Sequence, residues 1–291
     1  MPEAVSSAVY TLRRPRQQTT PVVFASPHSG ADYRPEFMAR SALDRRTIRS
    51  SEDAFVDRLF DLAPQMGAPL LAARVPRAYI DLNRAPDELD PAVIEGLARA
   101  PHNPRIASGL GVIPRVVAGG RAIYSGKLPR SEAEARIRHC WQPYHTALAG
   151  LLDATRRSFG EALLIDCHSM PHEALDAHTR PGLARPDVVL GDRFGTSASP
   201  EMMDRVEAAF AGAGLRVARN APFAGAYIAQ TYGRPGQNVH VVQVEIDRAL
   251  YMDEVRIVPT PGFAAFRALM AGVMAEIIAG LRGTALPLAA E

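Results

Sequence analysis

Two histidines sit directly after short apolar runs and inside tight turns of small residues. His28 lies between Ser26 and Gly30, with Pro27 and Ser29 beside it, and His168 lies between Asp166 and Ser169. An acidic pair, Glu52 and Asp53, and a carboxylate within an apolar run, Glu245 between Val244 and Ile246, complete the inventory. Two imidazoles and a carboxylate suit a divalent ion such as zinc in a hydrolytic site, where about three N or O ligands leave one position open for water. His28 and His168 supply two ligands. The third comes from the acidic pair, with Asp53 preferred over Glu52 because it sits against the start of a helical run. A lone histidine after a strand is more often a packed or surface residue, but two framed alike shift the balance toward a ligand pair.

A carboxylate on an apolar strand is costly to bury unpaired, so Glu245 calls for a metal, an arginine or a catalytic proton. As a general base it takes a proton from the attacking water and delivers it to a leaving amine. Asp166, two residues before His168, shares its strand face and is a candidate to orient that imidazole, with a purely structural role as the alternative. His172 is four residues from His168, yet Pro171 between them argues against a helical ligand pair. His102, His139, His145, His178 and His240 have no comparable context. Cys167 faces the side of its strand opposite His168 and reads as a buried structural thiol.

The elements that must position these groups follow from hydrophobic period. Apolar runs of β type fall at residues 21–25, 70–75, 78–82, 162–166, 187–190 and 239–246. Helical patterns lie between and after them: 54–66, 131–158 with Ser131 and Glu134 as a capping box, 200–213, and 263–281. Such alternation predicts an α/β, three-layer fold with a mixed, largely parallel sheet flanked by helices. In sheets of that kind ligands bind beyond the carboxyl ends of the strands, where His28, Asp81 to Arg84, Asp166 and His168 all fall. Residues 85–130 are rich in Pro, Gly and Arg and read as a long ordered excursion forming a site wall. Nothing divides the 291 residues, so 1–291 reads as a single domain.

Composition removes other classes. Lys and Arg total 33 against 31 Asp and Glu, with Lys127 the only lysine, and no basic stripe favours nucleic acid. The most apolar stretch, 263–281, carries Arg267 and Glu276 and repeats at helical spacing, so no membrane span is expected. The first 20 residues are polar and carry no export signal, and two cysteines without framework spacing suggest a reducing, cytoplasmic setting. The glycines do not form a phosphate cradle.

Taken together, the motifs around His28, the run from Glu52 to Leu59, Tyr79 with Asp81, Asn83 and Arg84, Ile123 with Tyr124, Trp141 with Tyr144 and His145, Asp166 with His168, Phe223 with Gly225, Tyr232 to Pro235, Gln243 with Glu245, and Tyr251 resemble the N-formylglutamate amidohydrolase family in order, over about residues 20 to 255. The resemblance implies a phosphorylase/hydrolase-like α/β fold related to zinc carboxypeptidases. It implies metal-dependent hydrolysis of an amide C–N bond, which in the name-giving members converts N-formyl-L-glutamate to formate and glutamate in histidine breakdown. One Zn2+ per chain, or another divalent metal, would be held by His28, the Glu52/Asp53 pair and His168. Glu245 would be the base and Arg84 a second catalytic group, with Asn83, Arg84, Tyr124 and Gln230 contacting a small anionic N-acyl amino acid. Gln230 departs from the arginine of many family members, which bears on substrate specificity. Two rival readings remain: a zinc deacylase or peptidase with another substrate, and a metal-free solute-binding or regulatory relative of the same fold.

Overall fold

The computed structural model describes residues 3–98, 103–178 and 185–281; His102, named from the sequence, and part of the expected 85–130 excursion lie outside them. Eight strands form one sheet: β1 (Glu3–Ser6), β2 (Tyr10–Arg14), β3 (Val22–Ser26), β4 (Leu70–Ala73), β5 (Ala162–Met170), β6 (Val188–Gly191), β7 (Val217–Arg219) and β8 (Val239–Asp247). Their order is β1-β2-β4-β3-β5-β8-β6-β7. The central β4, β3, β5 and β8 are parallel, as are β6 and β7, while β1/β2, β2/β4 and β8/β6 are antiparallel. The sheet is therefore mixed with a parallel centre, as the alternation predicted.

Why these runs become central strands is visible in their burial. Every residue of β3 and β5 is buried, which needs a layer on each face. On one face α3 (Pro200–Gly212) and α5 (Phe263–Ala279) pack over Phe24, Ile165, Val242 and Val244. On the other, α1 (Arg130–Arg136) and α2 (Gln142–Phe159) cover Val23, Ala25, Leu164 and Val241. Each such side chain contributes roughly 1.5–3 kcal/mol on burial, so the three layers follow from the sequence pattern.

Several elements differ from expectation for identifiable reasons. The helix expected at 131–158 is two helices joined by a π-type turn, Ile137–Trp141. Pro143 lacks an N–H and crowds the carbonyl four residues back, which accounts for the wider turn. Ser131 does not cap: the N-cap is Pro129. The helix expected at 54–66 breaks into Val56–Leu59 and a 3-10 turn, Ala63–Met66, and Phe55 is left-handed at φ 68°. Residues 78–82 are not a strand; Tyr79 and Ile80 donate back to Pro76 O in a turn, and Asp81 N donates to Val112 O. The N-terminal hairpin β1/β2 and the short β7 carry weak period-two signals and extend the two edges.

Candidate metal and substrate site

The face of the sheet covered by α2 changes character along its strands. On β5 it runs Leu164, Asp166, His168, and on β8 Val241, Gln243, Glu245, so apolar packing gives way to polar groups at the carboxyl ends. His28 follows the end of β3, and Asp53 N donates to His28 O at 3.0 Å, tying the two segments together. Gly30 makes this turn possible: a Cβ there would lie 2.1 Å from Val75 O, so no larger residue fits.

The result is a compact buried cluster. Asp53 Oδ2 lies 3.0 Å from His168 Nδ1 and 3.5 Å from His28 Nδ1. Tetrahedral zinc with ligand bonds of about 2.0–2.1 Å separates its ligands by about 3.3 Å, so these spacings fit such an ion. Among the described residues, His28, Asp53 and His168 are the group able to hold a metal, with one ligand atom from each all within 4.8 Å. The far nitrogens are held differently: His28 Nε2 is hydrogen-bonded to Asp81 Oδ1 at 2.7 Å, whereas His168 Nε2 accepts from Asn83 Nδ2 at 3.1 Å and has the Asp166 carboxylate beside it as a charge. A proton on His28 Nε2, donated to Asp81, leaves the His28 Nδ1 lone pair pointing at the cluster. His28 Nδ1 is buried without a hydrogen-bond partner, as a ligand atom would be.

The electrostatics agree. Burial alone would raise the Asp53 carboxyl, but His168 and His28 hold it well below the usual carboxylate range. Burial would likewise raise Asp81, yet His28, Arg77 and Arg84 hold it low. For His168 burial favours the neutral ring, and Asp166 and Asp53 outweigh it, so the imidazole retains a proton well above its ordinary range. The cluster thus attracts positive charge, and a divalent ion would displace that proton.

Glu245 lies beside the cluster with Gln243 Nε2 donating to its Oε1 at 2.9 Å. Burial, with Asp53 and Asp166 nearby, pushes its carboxyl up to about 7 against the opposing charges of His168 and Arg77. His28, Asp81, His168, Gln243 and Glu245 line a cavity of about 540 Å3, whose walls include Arg77, Arg84 and Arg105, with Asp53 buried behind the two imidazoles. Residues 105–120 supply much of one wall, and the segment 222–226 supplies another, pressed so closely on β6 that a Cβ at Gly191 would lie 2.6 Å from Ala224 C.

Other expected residues are placed differently. Glu52 is bound by Arg49 through both oxygens, at 2.9 and 2.8 Å, so Asp53 is the carboxylate that faces the imidazoles. Arg84 lines the cavity; Nε and Nη1 donate to the Leu110 and Asn83 carbonyls, and Nη2 has no bond among the described residues. Asn83 also lines it, but Oδ1 accepts from Ile228 N at 2.7 Å and Nδ2 lies 3.1 Å from His168 Nε2. Both ends of that amide are engaged within the protein. Tyr124 is outside the cavity lining: its ring packs on Phe37 and its hydroxyl accepts from Arg136 at 2.7 Å. Gln230 is exposed on the helix α4 (Tyr227–Tyr232), likewise outside the cavity lining. His172 lies in a 3-10 turn and pairs with Asp247, away from the cluster. Arg77 and Arg248 were not singled out from the sequence; Gln243 entered only within its motif with Glu245, whose strand face it shares.

The N-formylglutamate amidohydrolase family model matches residues 20–252. The chain belongs to that family. An N-formylglutamate deformylase of Pseudomonas aeruginosa is 33% identical over 238 residues, 80% of this chain and 83% of that protein. One from Pseudomonas putida is 30% identical over 241 residues, covering 82% and 84%. The crystal structure of an N-formylglutamate amidohydrolase from Ralstonia eutropha JMP134 superposes with a TM-score of 0.88 at 35% identity, over 95% of this chain and 99% of that one. The family and the α/β fold are those the sequence motifs resembled. No helix among the described residues is long and apolar enough to cross a membrane.

Proposed function

We propose that this chain is a metal-dependent amidohydrolase that cleaves the formamide bond of N-formyl-L-glutamate. The observation that carries the reading is the His28–Asp53–His168 cluster, whose two imidazoles line one cavity together with the Glu245 carboxylate and arginines on its wall. His28, Asp53 and His168 would hold the ion, and two nitrogens and one oxygen with a free fourth position make Zn2+ the preferred choice. When bound, such an ion polarises a carbonyl and lowers the pKa of water.

The chain's own groups supply the rest. Glu245 takes a proton from the attacking water as its oxygen adds to the formyl carbon, then delivers that proton to the nitrogen as the C–N bond breaks, giving formate and glutamate. Burial and the neighbouring carboxylates raise this carboxyl above its ordinary range in the metal-free protein, which makes Glu245 a stronger proton acceptor than an exposed carboxylate. Arg84, with Arg77 beside it, donates to the carboxylates of the substrate; Arg77 spends only Nε, on Asp81 at 3.0 Å, among the described residues. Asn83 holds His168 and the start of α4 in place rather than touching substrate.

The reading is tested by metal analysis of protein purified without chelator, together with turnover of N-formyl-L-glutamate. About one ion per chain, lost in the His28→Ala/His168→Ala double variant along with formate release, is the expected result. Metal bound without formate release would transfer the site to another N-acyl amino acid. Neither metal nor turnover would leave the solute-binding reading.

A further inference from the structure

Arg248 opens the 3-10 turn that follows β8, and Asp247 caps that turn by accepting from Ala249 N at 3.0 Å. The side chain is buried, 4% exposed, and its guanidinium reaches three separate segments. Nη2 donates to Asp53 Oδ1 at 3.0 Å, Nε to Ser169 Oγ at 3.1 Å, and Nη1 to Ser50 O at 3.3 Å. Asp53 uses its other oxygen, Oδ2, toward both imidazoles.

We propose that Arg248 is a positioning residue for the metal: it fixes Asp53 Oδ1 so that Oδ2 alone is presented to the cluster, and it thereby sets the affinity for the ion. The inference rests on the reading of His28, Asp53 and His168 as metal ligands. A carboxylate free to turn about its Cβ–Cγ bond has no preferred oxygen, whereas a guanidinium with three fixed acceptors cannot follow such a rotation. The same fork holds the segment 50–53 against the ends of β5 and β8, so the third ligand is set at a fixed distance from the other two. Two effects of Arg248 oppose each other. Its positive charge repels a nearby cation, while its hydrogen bonds orient the ligand; the short, well-partnered geometry gives orientation the larger share.

The test uses the full chain stripped of metal and titrated with Zn2+ against a chromophoric chelator. Removing groups that orient a ligand typically costs 10–100-fold in metal affinity. Arg248→Met should weaken Zn2+ by about that factor, and Arg248→Lys, which keeps the charge without the fork, should recover only part of it. Ser169→Ala, which frees Nε alone, should weaken it least, and it carries the test if Arg248→Met fails to fold. Thermal unfolding of the metal-free proteins separates a merely structural role, which would shift melting without shifting Zn2+ affinity. Wild type binding one ion with all variants equal, or tighter binding in Arg248→Met, overturns the inference alone. Wild type binding no ion overturns the reading beneath it as well.

Discussion

Glu245 and His168 are register partners on adjacent parallel strands, so one backbone ladder fixes both the carboxylate and an imidazole of the cluster. Neighbouring strands lie about 4.8 Å apart, which places Glu245 next to the ion site without making it a ligand by geometry alone. Glu245→Gln keeps the shape and can still accept from Gln243. It should leave metal content unchanged and lower kcat on N-formyl-L-glutamate by about 10²–10⁴-fold, the usual contribution of general acid–base catalysis. Steady-state formate release and elemental analysis on the same preparation decide it; metal lost together with turnover would make Glu245 a ligand.

Asp81 orients the imidazole of His28 through the ring nitrogen far from the cluster. Its Oδ1 lies 2.7 Å from His28 Nε2 and accepts from Asn83 N at 2.8 Å, while Oδ2 accepts from Arg77 at 3.0 Å. Asp81→Asn removes the charge that keeps the proton on Nε2 and so frees the tautomer that carries the proton on Nδ1 and blocks the lone pair facing the cluster. Zn2+ affinity should fall by about 10–100-fold, read by chelator competition. An unchanged affinity would mean that packing alone orients His28.

His145 gives a pH dependence of known sign. Burial pulls its imidazole down to about 4, against the Leu82 carbonyl and the charge of Asp166, while the unfolded ring titrates at about 6.5. Between those values the unfolded chain carries a proton that the folded one does not, so stability falls as the pH drops from about 6.5 to about 4 and this contribution stays constant below. The full span corresponds to about 3 kcal/mol. His145→Phe keeps a ring against Trp141 and Tyr232 but cannot titrate. Denaturant unfolding across this range should show the wild type losing about that much more than the variant; parallel curves would show that His145 titrates normally.

The strand-end rule made most of the cluster legible, because His28, Asp166, His168 and Glu245 all follow or end buried apolar runs whose period is unambiguous. The preference for Asp53 over Glu52 rested on its place at the start of a helical run alone; the reason visible in the structure, the Arg49 pairing that commits Glu52 elsewhere, has no such local signature. Residues 78–82 misled because a buried turn and a buried strand share an apolar composition, and the long-range bond to Val112 has no local signature. Arg248 had no signal, since its partners at 50, 53 and 169 are distant in sequence. Tyr124 and Gln230 matched the family motifs in order, but order does not carry orientation. One is turned into the packing around Arg136 and the other onto an exposed helix face.

That last distinction bears on specificity. If a substrate carboxylate is held inside the cavity, the donors available are Arg77, Arg84 and Arg105, and the change to glutamine at position 230 lies outside. Arg84 is the best placed because its Nε and Nη1 are fixed by two carbonyls, which holds the plane of the guanidinium while Nη2 stays uncommitted among the described residues. A hydrogen bond to a charged group contributes about 1.5–3 kcal/mol, equivalent to roughly 10–100-fold in binding. Arg84→Met should therefore raise KM for N-formyl-L-glutamate by at least about tenfold, whereas Gln230→Arg should leave kcat/KM within about twofold. A large gain from Gln230→Arg would mean that the helix α4 turns its exposed face toward the substrate on binding. An Arg84→Met variant with an unchanged KM would shift carboxylate recognition to Arg77 or Arg105.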